Sequence, residues 1–141
     1  MKLRRFVPIL MLFAVLSSMA QSSGKTFDEI EYNARTRGTH ISIKVNKDKV
    51  LYKGNYGNKE VDLTKEQLAK LGELVKGLNL EAMSSLKAPS QKRMTDGALH
   101  GDFVVKVGGS SYKSSTFDAG NAPKELKPLE QYLNKLIGGV D

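Results

Sequence analysis

Basic side chains gather in the stretch 81–101, which shows no helical or strand periodicity. An aperiodic stretch of about twenty residues in a small domain is usually a functional or a mobile loop. An arginine such as Arg93 can hold a carboxylate or a phosphate through two parallel hydrogen bonds. The stretch therefore predicts a loop that binds an acidic partner, and the simpler interpretation is a loop whose charges are only solvated. The candidate partner-binding residues are Lys87, Lys92, Arg93, Asp96 and His100.

A metal site is the second chemistry that this part of the chain suggests. Asp96, His100 and Asp102 are separated by glycines that permit their side chains to converge. Zinc sites prefer nitrogen and sulfur ligands, however, and calcium loops carry more closely spaced acidic residues. The spacing therefore predicts no bound metal and no cofactor. A small metal-assisted hydrolase that uses the segment 96–102 stays as an alternative function.

Composition and context exclude several other catalytic chemistries. The 141 residues include no cysteine and only two histidines, which excludes thiol nucleophiles, thiolate metal sites and metal sites with three imidazoles from one chain. No serine lies in a G-x-S-x-G nucleophile motif. The sequence therefore predicts no catalytic residue and favours a protein that is not an enzyme.

Two alternating segments on either side of Arg37-Gly38 predict a β-hairpin. Residues 29–37 and 39–45 each place apolar side chains on one face and polar side chains on the other, which is the pattern of half-buried strands. A tight turn at Arg37-Gly38 would bring Glu31 opposite Lys44 on the polar face. The same turn would pair three apolar residues of each strand on the other face: Ala34 with Ile41, Tyr32 with Ile43, and Ile30 with Val45.

The next segments predict a third strand and a helix. Residues 50–53 continue the apolar face, and the glycine-rich residues 54–58 are expected to break the sheet. Thr64 and Gln67 have the spacing of a capping box, and the leucines that follow recur at helical spacing. This helix must bury its apolar stripe against the sheet.

The last third of the chain predicts a second hairpin and a second helix. Gly108-Gly109 supplies the turn between strands at 102–107 and 111–117, and Pro123 opens an amphipathic segment. The expected fold is α+β, with a single antiparallel sheet of about five strands in the order β-β-β-α-β-β-α. Both helices are expected to pack on one face of this sheet.

The other face of that sheet is predicted to be open to solvent and mildly basic. Glu29 and Glu31 offset only part of its positive charge. Such a face is often merely solvated, and it is also a surface on which a partner with acidic groups can dock. The candidate residues of the open sheet face are Arg35, His40, Lys44, Lys53, Lys106 and Lys113.

The N-terminus has the pattern of a secretory signal peptide. Basic residues within the first five positions precede the apolar run 6–16, and small residues lead up to Ala20. The run is about half as long as a transmembrane span requires. We therefore expect cleavage after Ala20, no transmembrane segment after cleavage, and a periplasmic or secreted protein.

These patterns divide the chain into a signal peptide (1–20), an N-terminal linker (21–27), a single α+β domain (28–137) and a C-terminal tail (138–141). Without residues 1–20 the chain keeps nineteen basic and fifteen acidic residues, a formal charge of +4. A modest excess spread along the chain is typical of a soluble protein. We therefore expect no nucleic-acid partner.

A series of short motifs follows residue 85: Leu86-Lys87-Ala88-Pro89-Ser90 with Lys92-Arg93, Asp96-Gly97-Ala98, Tyr112-Lys113-Ser114, and Phe117-Asp118-Ala119-Gly120 before Pro123. Together they resemble a family of small exported proteins of unknown function from flavobacteria-like bacteria. The resemblance covers roughly half of the chain after residue 20 and extends loosely over 36–38. The family pattern usually has a histidine near Ala119 and a second proline near Ala122, which this chain lacks. The resemblance implies export and supports the fold, and it brings no activity with it.

The predicted architecture is also similar to that of some protein inhibitors of metalloproteases, as an analogy of fold alone. We therefore expect an exported, non-enzymatic binding or inhibitor-like module of the bacterial envelope, whose partner is an unknown protein or an acidic envelope component. A third possibility is a module that binds an anionic envelope lipid or polysaccharide. That function would require binding that weakens strongly with salt.

Overall fold

A computed structural model describes residues 26–138. The predicted signal peptide (1–20) lies outside the described residues, as do most of the predicted linker and tail. The described chain has an α+β fold in which seven strands form one antiparallel sheet. Between residues 26 and 138, no helix is both long enough and apolar enough to cross a membrane.

The strands are β1 (Glu29–Thr36), β2 (Thr39–Asn46), β3 (Lys49–Gly54), β4 (Gly57–Asp62), β5 (His100–Val107), β6 (Ser110–Lys113) and β7 (Phe117–Asp118). The helices are α1 (Lys65–Lys76) and α2 (Lys127–Leu136), and two short 3-10 helices span Leu80–Ser85 and Lys92–Thr95. The sheet order is β4-β3-β2-β1-β5-β6, and β7 also pairs with β5.

The predicted pairing of β1 and β2 is confirmed. Tyr32 faces Ile43 and Glu31 faces Lys44, and the other predicted pairs follow the same register. The turn contains Gly38 with a φ of +78°, a backbone conformation that glycine adopts without steric strain. A register shifted by one residue would move every apolar side chain of these strands to the solvent face, so the alternation is a strong constraint.

The predicted strand number and order are wrong. Gly54 and Gly57 pair across a two-residue turn that leads into β4, where the prediction ends the sheet. All residues of β4 are exposed except the half-buried Val61, so this edge strand has no apolar alternation to reveal it. β7 has only two residues and is too short for a pattern. The observed order is β-β-β-β-α-β-β-β-α.

The two helix starts differ in how well the sequence predicts them. The Thr64 hydroxyl accepts the N–H of Gln67 at 3.1 Å, and the Gln67 side chain accepts the N–H of Thr64 at 2.9 Å, so the predicted capping box is confirmed. The second helix begins at Lys127 instead of Pro123. The carbonyl of Pro123 accepts a turn hydrogen bond from Leu126, and Pro128 occupies the first helical turn, where a missing N–H removes no helical bond.

One hydrophobic core joins both helices to the same face of the sheet. Leu71 of α1 and Leu133 of α2 are buried in the same cluster as the apolar residues of β1, β2 and β5. The rings of Tyr32 and Phe103 lie 5.0 Å apart in this core. Phe27 is also buried there, although the prediction assigns it to the linker.

Candidate functional site

The open sheet face is ordered by the strand register into four rows of side chains. Each row crosses the strands at one level. The first row is His40, Arg35, His100 and Asp118; the second is Asn58, Lys53, Ser42, Asn33 and Asp102; the third is Glu60, Leu51, Lys44, Glu31, Val104 and Lys113; the fourth is Asp62, Lys49, Asn46, Glu29, Lys106 and Ser111. We call the first two rows the Arg35 end and the last two rows the paired end.

Three of the four lysines at the paired end contact acidic neighbours, whereas the exposed Lys113 belongs to no ion pair within the described residues. Lys106 Nζ lies 3.1 Å from Glu29 Oε1, and Lys44 Nζ lies 3.7 Å from carboxylate oxygens of both Glu29 and Glu31. Lys49 contacts Glu60 and Asp62 of β4, and the hydrogen bond and charge of Glu60 raise the pKa of Lys49. The unpredicted strand β4 thus adds acidic groups, and the predicted candidates Lys44 and Lys106 are engaged within the fold.

The Arg35 end brings together both histidines of the chain. His40 on β2 and His100 on β5 are the direct register partners of Arg35 on β1. The prediction places His100 in a loop and His40 on the sheet, as members of two separate candidate groups. Because β5 begins at His100 instead of near residue 102, His100 of the loop group lies on the same surface as His40 of the sheet-face group. Lys53 lies in the adjacent row, opposite Ser42.

Arg35 is held over the sheet by a buried acid. The Arg35 Nη1 atom lies 3.3 Å from Asp102 Oδ2, and the Asp102 side chain is only 2% exposed, whereas the Arg35 side chain is 51% exposed. The Asn33 amide contacts the other carboxylate oxygen at 3.5 Å. Within the described residues, Asp102 Oδ2 accepts no hydrogen bond. A buried carboxylate needs a counter-ion, so Arg35 neutralises Asp102 while its outer surface faces solvent.

The stretch 81–101 is a structured connection. The carbonyl of Met83 accepts the N–H of Ser115 at 3.0 Å, and the carbonyl of Leu86 accepts the Ser115 hydroxyl at 2.6 Å. The Met83 side chain is fully buried in the core. The first 3-10 helix is therefore hydrogen-bonded to the segment that follows β6. These contacts argue against a mobile loop and against a loop whose charges are only solvated.

Asp118 fastens the second 3-10 helix. Its carboxylate accepts the Ser90 hydroxyl at 2.5 Å, the N–H groups of Lys92 and Arg93 at 2.8 and 2.9 Å, and Arg93 Nη1 at 3.1 Å. Burial alone would raise the pKa of the Asp118 carboxyl, but these hydrogen bonds hold it well below its usual value. Asp118 is thus an anionic anchor for the segment 90–97.

The predicted partner-binding set therefore divides. The Arg93 side chain is only 10% exposed, because it pairs with Asp118 and donates to the carbonyl of Ser90. Lys87 and Lys92 are exposed. Asp96 is also exposed and ends the second 3-10 helix with a φ of +57°. Arg93 therefore has a structural role in the fold, while a role of Lys87 and Lys92 in partner binding stays a prediction.

The arrangement offers little catalytic chemistry. Among residues 26–138, no three His, Cys, Asp or Glu side chains come together as a metal site, so Asp96, His100 and Asp102 are not gathered into one. The Ser90 hydroxyl donates to Asp118, and a carboxylate with a lowered pKa is a weak general base. A cleft of about 320 Å³ beside these groups is lined partly by Asn121, whose amide donates to Ser90 Oγ at 2.8 Å.

Two neighbouring turns extend beyond the first row, and the sequence patterns do not predict that the two turns are in contact. We call residues 36–40 and 53–59 the twin tip. The Asn55 side chain accepts the N–H of His40 at 3.0 Å and donates to the carbonyl of Gly38, so it ties the β3–β4 turn to the β1–β2 turn. Tyr56, the next residue, is fully exposed. Glycines around an asparagine and a tyrosine mark a turn in the sequence, but nothing in the pattern shows which turn lies beside it.

A comparison with models of protein families gives no match for this chain. A comparison with curated protein sequences gives no match either.

Proposed function

We propose that the chain is an exported, non-enzymatic binding module that docks an acidic protein partner through the Arg35 end of its open sheet face. The N-terminal pattern of residues 1–20 supports export. The weak catalytic character of the described side chains supports binding over hydrolysis. The predicted partner is an unknown protein or an acidic envelope component. Of these, we propose a protein with an acidic surface.

The uneven distribution of charge on the open face carries this proposal. At the paired end, Lys44, Lys49 and Lys106 each contact carboxylates. In the two rows of the Arg35 end, both acids, Asp102 and Asp118, are buried. The exposed Arg35 guanidinium offsets Asp102, and the exposed Lys53 belongs to no ion pair within the described residues. The side chains that face solvent there are therefore cationic or neutral. A surface of this kind attracts and orients an acidic partner, because complementary charge raises the encounter rate and suppresses wrong orientations.

The position of the helices supports the same surface. Both helices pack on the opposite face. Among residues 26–138, the second 3-10 helix lies on Asp118 beside β7 and borders the Arg35 end there. The exposed Lys92 borders this surface on the loop side, because its backbone N–H donates to Asp118.

A charge-reversal pull-down tests the proposal. The chain 21–141 is immobilised and incubated with the exported protein fraction of the cells that make it, at about 0.05 M and about 0.5 M salt. The test variant is Arg37→Glu with Lys53→Glu, which changes one exposed residue of the adjoining twin tip and one exposed residue of the Arg35 end. It leaves every ion pair described above intact. The matched control is Lys70→Glu with Lys76→Glu, which changes the net charge equally on exposed positions of α1.

We expect one protein that the wild-type chain and the α1 control retain and that the test variant loses. A further variant, Lys87→Glu with Lys92→Glu, shows whether the loop cations contribute. Equal retention by the test variant and the α1 control would overturn the proposed surface. Retention of anionic phospholipid vesicles without any retained protein would favour the lipid-binding alternative and overturn the protein partner.

A further inference from the structure

Two contacts join the turns of the twin tip to their surroundings. The first is the Asn55 side chain, which bonds to both sides of the neighbouring turn at Gly38 and His40. The second lies at Gly54, where a Cβ atom would collide with the ring and hydroxyl of Tyr52. Gly54 is therefore packed closely against the Tyr52 side chain.

Tyr56 lies in the turn between Gly54 and Gly57, and its side chain is entirely exposed to solvent. Its relative exposure is 104%, and within residues 26–138 the other exposed large apolar side chain is Met94, at 70%. A tyrosine ring in water leaves a large apolar surface unburied. Tyrosine is also among the residues that most often anchor protein interfaces, because it combines apolar area, a hydroxyl group and few rotatable bonds.

The charge around Tyr56 is of one sign. The twin tip contains Arg37, Lys53 and Lys59 and no acidic residue. Lys59 Nζ donates to the carbonyl of Ile137 and so faces the helix side. Arg37 and Lys53 belong to no ion pair within the described residues. A partner surface that receives Tyr56 must therefore place acidic groups around it.

We propose that Tyr56 is the anchor of the docking surface and enters an apolar pocket, rimmed by carboxylates, on the partner protein. The inference rests on the proposed function and adds the partner's local chemistry to it. Arg37 and Lys53 contact the carboxylates of the rim, and the Tyr56 ring fills the pocket. Asn55 is a positioning residue that holds the turn before binding, so little conformational entropy is lost on association.

A photo-cross-linking probe at position 56 tests the contact. The variant Tyr56→p-benzoylphenylalanine of the full chain is produced in the cells that make the protein and is irradiated there. The control places the same probe at Glu73, an exposed position on α1. We expect one protein adduct from position 56 and none from position 73, and the cross-linked peptide should lie in an apolar pocket with aspartate or glutamate at its rim.

Affinity measurements with the purified cross-linked protein complete the test. Tyr56→Ser should weaken binding by about 30-fold or more, the scale on which truncation of an aromatic anchor weakens a complex, and Met94→Ser should leave the affinity within about threefold. Tyr56→Phe should retain most of the affinity. Asn55→Ala should weaken binding mainly through slower association, a readout that loss of a direct contact would not give.

The outcomes separate this inference from the proposed function. If Tyr56→Ser binds as the wild type does while Arg37→Glu with Lys53→Glu does not bind, the anchor is wrong and the proposed function stands. If neither change affects binding, both are wrong. An adduct that maps to a flat or basic surface of the partner would also overturn the pocket.

Discussion

Arg93 lies against Asp118, which is 25 positions further along the chain, with its Nη1 atom 3.1 Å from the carboxylate Oδ1 atom. The backbone N–H of Arg93 donates to the same oxygen at 2.9 Å. One buried carboxylate thus neutralises the side chain and satisfies the first N–H groups of the second 3-10 helix. Arg93 belongs to the anchor of the loop, so reversal of its charge would disturb folding of the segment 90–97 instead of testing a partner contact.

Removal of the anchor should loosen this segment. In Asp118→Asn, one oxygen is replaced by an NH₂ group that cannot accept the donors now bonded to it, so we expect local opening of 90–97. Trypsin cleavage after Lys92 or Arg93 should accelerate by about tenfold or more, because cleavage follows the free energy of local opening. The exposed Asp96→Asn is the matched control and should be cleaved at the wild-type rate. Equal cleavage of both variants would show that Asp118 does not hold the loop.

The same carboxyl gives a pH dependence whose sign follows from its lowered pKa. A carboxyl with a lower pKa in the folded state than in the unfolded chain adds stability above about pH 4 and loses that contribution as the pH falls. The free energy of unfolding of the wild type should therefore fall more between about pH 5 and pH 2 than that of Asp118→Asn. Urea titrations followed by circular dichroism at several pH values measure this difference. Parallel pH profiles would contradict the lowered pKa.

Local sequence patterns predict the parts of this fold that depend on interactions between residues close together in the chain. The β1–β2 register follows from alternation, and the α1 start follows from the spacing of Thr64 and Gln67, since both depend on neighbours within a few residues. β4 is not predictable in this way, because its exposed residues carry no apolar signal and the strand exists through its pairing with β3. The same limit applies to β7, which pairs with β5 over two residues.

The candidate site depends on contacts between distant residues, which explains why it was only partly predictable. The residue types were informative: Arg35, His40 and Lys53 do lie on one face. Their meeting with His100 requires the pairing of β1 with β5, across more than sixty positions of the chain. Likewise, the sequence alone suggests that Arg93 is an unpaired cation, and only the fold places Asp118 beside it. A side chain's availability to a partner depends on such tertiary neighbours.

Arg35 should matter to stability through Asp102. In Arg35→Gln the buried carboxylate loses its cation, and we expect a destabilisation of about 1–3 kcal/mol. The double variant Arg35→Gln with Asp102→Asn should recover part of this loss, because the buried charge is then absent. Urea denaturation of the two single variants and the double variant measures the coupling. Additive losses would show that the two side chains do not interact.

Gly101 separates two residues of the Arg35 end and allows the close approach of Phe117. A Cβ atom at this position would lie 2.9 Å from Phe117 Cε2 and 3.3 Å from Ala119 Cα. Gly101→Ala should therefore destabilise the fold by about 1–3 kcal/mol through overpacking. Gly77→Ala is the control, because its φ is −73° and its Cβ would make ordinary contacts; its effect should be neutral or slightly stabilising. Thermal unfolding of both variants tests the contrast, and a neutral Gly101→Ala would show that the core yields there.

Tyr32 and Glu130 form a buried pair that should make the fold sensitive to alkali. The Tyr32 hydroxyl donates to Glu130 Oε1 at 2.9 Å, and burial, together with the charge and hydrogen bond of Glu130, raises the pKa of Tyr32 well above its ordinary value. A tyrosine whose pKa is raised on folding adds stability below about pH 10, and this contribution is lost by up to about 1.4 kcal/mol per pH unit above it.

Tyr32→Phe removes the titrating group and one hydrogen bond. The variant should be less stable than the wild type by about 1 kcal/mol near pH 8, and the difference should shrink between about pH 10 and pH 11 because only the wild type must then keep a tyrosine protonated. Urea unfolding followed by circular dichroism at each pH measures it, with the exposed Tyr56→Phe as a control that should follow the wild type. A constant difference in the free energy of unfolding across this range would mean that folding does not raise the pKa of Tyr32. The hydrogen bond to Glu130 would then stabilise the fold equally at every pH.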